Sequence, residues 1–271
     1  MGLITFRSVK DGIFSNNSGI NLAVVGNDEC AILILRPDED IVGWVNLPEK
    51  LKVKIFNSSA QYPIGSLWDY GVTERNPYEV FEKSLGLSMG VVVSRTIKIN
   101  EGVTLEAVLG NLHRINLRTD LSLRDRFLVR QYLADAVASK KVLEMDIPAN
   151  AMDKVIEPDG KEFLIFNGIT SLWTKNKFLL EAILNEKVNV TVNNLSGLSG
   201  LGISLAKQLE SAGVRVTEVK TDPNRDISGS GCIYSSWGDY PNTERFLQDQ
   251  VKCQHRSGDV LEEEQIEVWL K

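Results

Sequence analysis

The chain has 271 residues, a length that suits two domains better than one. A composition of 43% hydrophobic and 24% charged residues is typical of a folded globular protein and excludes extended disorder. The net charge of −6 excludes a general binder of nucleic-acid backbones, so any site for an anion has to be local.

Membrane spans and zinc sites are not indicated by the sequence. No run of about 18 apolar residues is present, and Met1 to Lys10 lacks the apolar core of a signal peptide, so we expect a chain that is soluble as given. His113 and His255 stand apart, and the three cysteines show no Cys-x-x-Cys spacing. A zinc site is therefore not expected.

The first part of the chain is strand-like, with turn-forming residues between short apolar runs. These runs are Ile4 to Val9, Ile20 to Val25, Cys30 to Leu35 and Ile41 to Leu47. Asn76-Pro77 then opens a predicted helix that ends at Gly86, and Val91 to Ile99 returns to strand.

A helix is predicted from Leu123 to Lys140, with Ser122 as its cap. At 100° per residue, one apolar stripe includes Arg130 and has Arg126 at its edge. The apolar members of that stripe are Leu123, Phe127, Ala134, Val137 and Ala138. Because an unpaired buried arginine is costly, the stripe predicts an anion partner, either an internal Asp or Glu or a phosphate ligand.

The last part of the chain changes character after a predicted helix from Lys175 to Glu186. Strands and helices then follow in the order β-α-β-β-α-β, which matches the ferredoxin-like plan or a close relative of it. We therefore predict two domains, at residues 1–185 and 186–271, with the domain boundary at the end of this helix.

A glycine-rich turn between the first strand and helix of the second domain suggests phosphate binding at first sight. Gly197, Gly200 and Gly202 are spaced somewhat like the glycines of dinucleotide sites. The rest of the chain lacks the further βα units that a dinucleotide fold requires. We therefore interpret the glycines as residues for a tight turn and close helix packing, with a nucleotide-dependent oxidoreductase as an alternative.

The end of the chain resembles the LytR carboxyl-terminal domain. The matching segments are Val190-Thr-Val-Asn-Asn194, Ser196-Gly197, Gly200-Leu201, Gly213-Val-Arg-Val216 and Ile266-Glu-Val-Trp-Leu270. Leu195 replaces the first glycine of the family pattern, and Gly202 replaces its alanine.

The first part of the chain resembles the LytR-CpsA-Psr cell-envelope domain. The matching segments are Asn21 to Val25, Val42 to Pro48, Tyr78 to Val93, Gly65 to Gly71 and Thr119 to Asp125. The resemblance implies an α/β fold in which a mixed sheet has flanking helices. It also implies an extracytoplasmic location at the cell envelope, with tethering to the membrane through an anchor that this chain does not contain.

Enzymes of this family transfer a glycopolymer from polyprenyl pyrophosphate to peptidoglycan, and they use arginines, an aspartate and Mg²⁺. The chain departs from that pattern. Glu49 and Lys50 follow Pro48 where the family has Arg-Asp, and Asn21 stands where the family has an aspartate. An acidic residue facing a pyrophosphate is unfavourable, so we expect a catalytically degenerate binding or scaffolding module.

The resemblance also names candidate residues. Candidates for binding the ligand or its pyrophosphate are Arg114, Arg118, Arg126, Arg130 and Gln131, and the metal candidates are Asp120 and Asp125. The implied partners are a cell-wall glycopolymer, a polyprenyl-phosphate lipid or peptidoglycan. An active phosphotransferase is the alternative, and Mg²⁺ is required only in that case.

The cysteines are interpreted through the same resemblance. A carboxyl-terminal domain outside the cytoplasm permits disulfides, so Cys232 and Cys253 are a possible pair, with two reduced core cysteines as the alternative.

Overall fold

The computed structural model describes residues 12–15, 19–56, 58, 60–175, 177–222, 227–257 and 265–271. The predicted strand from Ile4 to Val9 lies outside these residues. The chain divides into two compact units, and each is described by itself. The first comprises Met1–Met89 and Val93–Trp173, and the second comprises Gly90–Val92 and Thr174–Lys271.

The first unit is mixed α/β. Its strands are β1 (Ile20–Val25), β2 (Cys30–Arg36), β3 (Ile41–Leu47), β4 (Leu51–Lys54), β5 (Gln61–Pro63), β6 (Arg95–Lys98), β7 (Arg118–Thr119), β8 (Val142–Met145), β9 (Met152–Ile156) and β10 (Glu162–Phe166). Its helices are α1 (Ile64–Thr73), α2 (Pro77–Met89), α3 (Leu105–Asn111), α4 (Leu123–Ala138) and α5 (Gly168–Lys175), and α5 runs across the division between the units. A short 3-10 helix covers Ala149–Ala151.

The strands form two mixed sheets within the described residues. The larger has the order β7-β6-β1-β2-β3-β8, and the smaller has the order β5-β4-β10-β9. β1 pairs in parallel with β6 and antiparallel with β2. One face of the larger sheet packs on α3 and α4 through a continuous apolar core, whereas α2 contacts β6 and β4. The carboxyl ends of β1 and β6 therefore lie side by side, which is the edge where open α/β sheets most often bind ligands.

The second unit contains the predicted elements in the predicted order, with one short strand added before the last, but its topology differs from the prediction. Its elements are α6 (Glu181–Glu186), β11 (Asn189–Asn194), α7 (Leu201–Ser211), β12 (Arg215–Thr221), β13 (Cys232–Trp237), α8 (Pro241–Asp249), β14 (Gln254–His255) and β15 (Gln265–Leu270). The sheet order is β12-β11-β15-β13-β14, and β11 is parallel to both of its neighbours.

The ferredoxin-like prediction is wrong. That plan is a split βαβ arrangement, in which another strand lies between the two strands that flank a helix. Here β11 and β12 flank α7 and hydrogen-bond directly to each other, so the unit begins with an unsplit βαβ crossover.

The long segment of the second unit begins at Thr174, before the predicted domain boundary. The segment between α5 and α6 belongs to it because Leu180 and Ile183 pack in its core, and the Leu180 N–H donates to the Ala212 carbonyl at 3.1 Å.

In the part of the chain that the structure describes, no helix has the length and apolar character needed to cross a bilayer.

Candidate functional site

A cavity of about 380 Å³ opens in the first unit beside the carboxyl end of β6. Its volume is within the roughly 300–1,000 Å³ typical of small-molecule sites. Three cations and three side-chain amides contribute to its lining, which consists of Lys98, Ile99, Asn100, Asn111, Arg114, Asn116, Leu117 and Arg118. Two of the predicted ligand-binding residues, Arg114 and Arg118, therefore meet at one cavity.

Lys98 and Arg118 face each other across two strands. β6 and β7 are antiparallel, and their register places Lys98 directly opposite Arg118. Side chains opposite each other in a ladder project from the same face, and like charges in that arrangement are destabilising. The backbone thus holds two cations together at the wall of the cavity, an arrangement that an anionic ligand would neutralise.

Lys98 is the cation of this site that the sequence analysis missed, and the three lining amides were not predicted either. Its ammonium donates to the carbonyl of Gly26 and, at 3.4 Å, to Oδ1 of Asn27. Burial lowers the pKa of Lys98, and Arg118 lowers it further, whereas Asp69 and Asp28 act in the opposite direction. A lysine at the end of the apolar run Val91 to Ile99 was the available signal, but its pairing with Arg118 depends on strand register.

Arg114 is held by a carboxylate and an amide. Its Nη1 donates to Oε1 of Glu101 at 3.1 Å and to Oδ1 of Asn111 at 2.8 Å. The Arg114 and Glu101 side chains are each half exposed. Because one acidic partner already neutralises Arg114 in part, Lys98 and Arg118 are the stronger cationic components of the cavity.

Arg126, which the sequence placed only at the edge of the apolar stripe, is buried, and its partners are carbonyl oxygens, not a carboxylate or a phosphate. Its Nε and Nη2 donate to the carbonyl of Leu112 at 3.1 and 2.9 Å, and Nη2 also donates to the carbonyl of Arg114. Burial lowers the pKa of its guanidinium. Arg126 therefore supports the loop that carries Arg114, and it does not reach the cavity lining.

The prediction of which face of α4 is buried is wrong, and the remaining candidates on this helix are therefore exposed. Arg130 and Gln131 are exposed and do not line the cavity, and Phe127 is 67% exposed. The buried face is instead Asp125, Arg126, Val129, Leu133 and Ala136. The helix has two rows of apolar residues, and the core takes the row with Val129 and Leu133, because loops distant in sequence supply partners for its two charged members.

Asp125 has a structural role. It is 1% exposed, and its carboxylate accepts the N–H of Ile13 at 3.2 Å and that of Phe14 at 2.9 Å. It also accepts the hydroxyl of Ser122, whose oxygen in turn accepts the Asp125 N–H and caps α4. These bonds occupy the carboxylate that was predicted as a metal ligand.

Asp120 is engaged as well. Its Oδ1 accepts the Thr96 N–H at 2.8 Å, and its Oδ2 lies 3.5 Å from Nε of Arg95. Among the residues with a described position, no group of three or more His, Cys, Asp and Glu side chains could hold a metal ion. The two predicted metal ligands, Asp120 and Asp125, are therefore both engaged by groups of the protein itself.

Asn21, at the position of the family's aspartate, is buried and accepts from Nη2 of Arg36 at 2.9 Å. Nη1 of Arg36 donates to the carbonyls of Leu35 and Ile20. Burial lowers the pKa of Arg36 to about 10. At least three acceptors of this buried arginine are therefore neutral oxygens. Glu49 and Lys50 lie in the exposed turn between β3 and β4.

The glycine-rich turn lies between β11 and α7 and is closed by its own hydrogen bonds. Oδ1 of Asn194 accepts from the N–H and hydroxyl of Ser196, and Nδ2 of Asn194 donates to the Leu198 carbonyl. Gly197 and Gly200 have φ of 72° and 81°, and a Cβ at Gly202 would lie 3.1 Å from Val219. The glycines thus serve the turn and the close approach of α7 to its sheet.

Cys232 and Cys253 form a disulfide in the second unit. Cys232 begins β13, and Cys253 follows α8, which ends at Asp249. The N–H of Cys253 donates to the Leu247 carbonyl at 2.8 Å, which fixes the turn after the helix. Cys30 is a free, buried cysteine.

No family model matches the chain, and no curated protein matches it. Among solved structures, the chain is similar to TagT of Bacillus subtilis, with 11% identity over 60% of this chain and 91% of that chain and a TM-score of 0.45. It is also similar to TagV of Bacillus subtilis, with 6% identity over 57% of this chain and 93% of that chain and a TM-score of 0.43. A third is the LytR-CPS2A-psr family protein TagT with bound octaprenyl pyrophosphate lipid, with 12% identity over 58% and 88% of the two chains and a TM-score of 0.42.

Proposed function

We propose that the chain is a cell-envelope binding module, and that the cavity of Lys98, Arg114 and Arg118 holds the phosphate or pyrophosphate group of a polyprenyl-linked glycopolymer. The observation that carries the proposal is the cross-strand pair of Lys98 and Arg118 at a cavity in a chain with a net charge of −6. The family resemblance of the sequence supplies the class of ligand.

The chemistry of the cavity suits this ligand. A planar guanidinium can donate two parallel hydrogen bonds to a phosphate, and an ammonium adds a mobile point charge. The amides of Asn100, Asn111 and Asn116 add neutral donors and acceptors for hydroxyl groups of a glycan.

The proposal is for binding without transfer. A phosphotransferase of the family type needs a carboxylate free to hold Mg²⁺, but the carboxylates of Asp120 and Asp125 are bound to protein N–H groups. We therefore expect ligand binding to be independent of Mg²⁺ and unaffected by a chelator.

Replacing Arg118 by alanine is expected to weaken binding of farnesyl pyrophosphate by about tenfold or more, because a charge-assisted contact to phosphate is lost. Calorimetric titration measures the affinity, and inorganic pyrophosphate should compete whereas farnesol should not. Arg215→Ala, which removes an exposed cation in the second unit, is the matched control and should bind as the unaltered protein does. Equal affinity in the Arg118→Ala and Arg215→Ala variants would show that the cavity is not the site.

The lowered pKa of Lys98 gives the same binding a pH dependence. The ammonium is protonated below this pKa, so affinity should decline as the pH rises through it, at a pH below the ordinary lysine range. The Lys98→Arg variant keeps its charge over that interval and should hold its affinity. If the affinity of the unaltered protein and that of the Lys98→Arg variant change with pH in the same way, the assignment of Lys98 to the site is contradicted.

A further inference from the structure

The strand β12 forms one edge of the sheet in the second unit. The sheet order is β12-β11-β15-β13-β14, so among the described residues only β11 pairs with it. All residues of β12 except Val216 are exposed. An edge strand presents a row of main-chain N–H and C=O groups with which another strand can pair. The part of β12 from Glu218 to Thr221 is regular, because the one bulge between β11 and β12 precedes Glu218.

The hydrogen bonds to β11 show which main-chain groups of β12 face outward. The N–H of Asp222 donates to the carbonyl of Asn194 at 3.1 Å, so the N–H of Asp222 faces β11. The main-chain groups of successive residues in a strand alternate between its two sides, so those of Lys220 and Glu218 also face β11. Val219 lies between these two residues and therefore directs its N–H and C=O away from the sheet.

The side chains of the same residues lie on two faces of the sheet. A Cβ at Gly202 on α7 would lie 3.1 Å from Cγ1 of Val219, so Val219 lies on the face that α7 covers. Glu218 and Lys220 therefore lie on the opposite face, where they form an ion pair at 2.8 Å and are both half exposed. Lysine on an edge strand commonly prevents pairing with a second strand. Here the neighbouring glutamate offers a second strand a partner of each sign.

The direction of the main-chain groups and the charges together select one way for a second copy of β12 to pair. Residues opposite each other in an antiparallel ladder have main-chain groups of the same direction, so a two-fold axis passes between one residue and its own copy. An axis at Glu218 or at Lys220 places like charges opposite each other, and an axis at Thr221 extends the pairing beyond the end of β12. An axis at Val219 places Glu218 opposite Lys220 twice, and the two valines exchange both of their main-chain hydrogen bonds.

We infer that β12 pairs antiparallel with β12 of a second copy of the chain, about a two-fold axis at Val219. The contact uses the same surface of both copies, as a two-fold dimer requires. It is a small contact, so we expect a weak dimer with a dissociation constant of about 100 μM. The inference goes beyond the proposed function, because the second unit contributes none of the residues that line the cavity.

Sedimentation velocity at about 5 to 500 μM protein tests the inference. The mean mass of the unaltered protein should rise with concentration. Lys220→Glu brings four carboxylates together at the axis and should weaken association about tenfold or more, and Glu218→Lys, which brings four ammonium groups together, should do the same. An equimolar mixture of these two variants should associate as the unaltered protein does, because each variant then meets charges of the opposite sign.

Arg215→Glu is the matched control. It makes the same change of charge as Lys220→Glu on the same exposed strand, but outside the charge pairs at the axis, and it should leave association unchanged. Circular dichroism verifies that each variant is folded. Amide hydrogen exchange gives a second measurement, in which the Val219 N–H should become protected as the concentration of the unaltered protein rises, but not in the Lys220→Glu variant.

Four results would overturn the inference. The unaltered protein could stay monomeric over the whole range of concentration, the control could lose as much association as Lys220→Glu, or the mixture of the two variants could fail to associate. A dimer that forms without protection of the Val219 N–H would place the interface on another surface and would also overturn the inference.

Discussion

Replacing Asp125 by alanine is expected to lower the free energy of unfolding by about 3 kcal/mol. The substitution removes the acceptor of the Ile13 and Phe14 N–H groups, and both of these residues are buried. A buried N–H without a partner costs about 1–3 kcal/mol, and the contact to the Ser122 cap is lost as well. Urea denaturation followed by circular dichroism measures the change.

Asp135→Ala is the matched control, because Asp135 is an exposed aspartate on the same helix. It should change stability by less than about 0.5 kcal/mol. Asp125→Asn should fall between the two, since the amide keeps one acceptor oxygen but presents an NH₂ group to a main-chain donor. The structural role of Asp125 would be contradicted if Asp125→Ala lowered stability as little as the control does. It would also be contradicted if a chelator lowered the stability of the unaltered protein.

Removing the disulfide is expected to lower the free energy of unfolding by a similar amount. Cys232 and Cys253 are 21 residues apart, and closing a loop of that length constrains the unfolded chain by about 3 kcal/mol. The Cys232→Ser/Cys253→Ser variant should therefore unfold at a lower urea concentration. Addition of a reductant to the unaltered protein should reproduce the loss.

Thiol counting by mass provides the control for this disulfide. Burial raises the pKa of Cys30 to about 12, so the folded protein should react with no alkylating agent at neutral pH. After denaturation without reductant, one cysteine should be alkylated, and after reduction all three should be. Three modified cysteines without reductant, in protein purified under oxidising conditions, would show that the pair is reduced.

The first three strands of the first unit were predictable because their signal is local. The apolar runs at β1, β2 and β3 are bounded by turn residues, and the structure confirms all three to within one residue. The helices α1 and α3 were not predicted. Gly86 did not end α2, which continues to Met89 before Gly90 takes a φ of 73°.

The face of α4 was not predictable from the helix alone. Its start follows from the Ser122 cap, but its orientation depends on the Leu112 carbonyl and on the N–H groups of Ile13 and Phe14, which are far away in sequence. Similarly, Arg118 could be named as a cation, but its neighbour Lys98 depends on the pairing of β7 with β6. The same limit explains the second unit, where the order of elements was correct and the strand pairing was not.

β7 is short, so few backbone pairs hold it to β6 at the wall of the cavity. Only Ile97 with Thr119 and Lys98 with Arg118 are paired between β6 and β7. Few backbone contacts therefore oppose the repulsion between the two cations. Two side-chain bonds add to them, because the hydroxyl of Thr119 donates to the Thr96 carbonyl at 2.7 Å and Oδ1 of Asp120 accepts the Thr96 N–H at 2.8 Å. An anion between Lys98 and Arg118 turns that repulsion into cohesion, so occupancy of the cavity and the ordering of β7 are thermodynamically coupled.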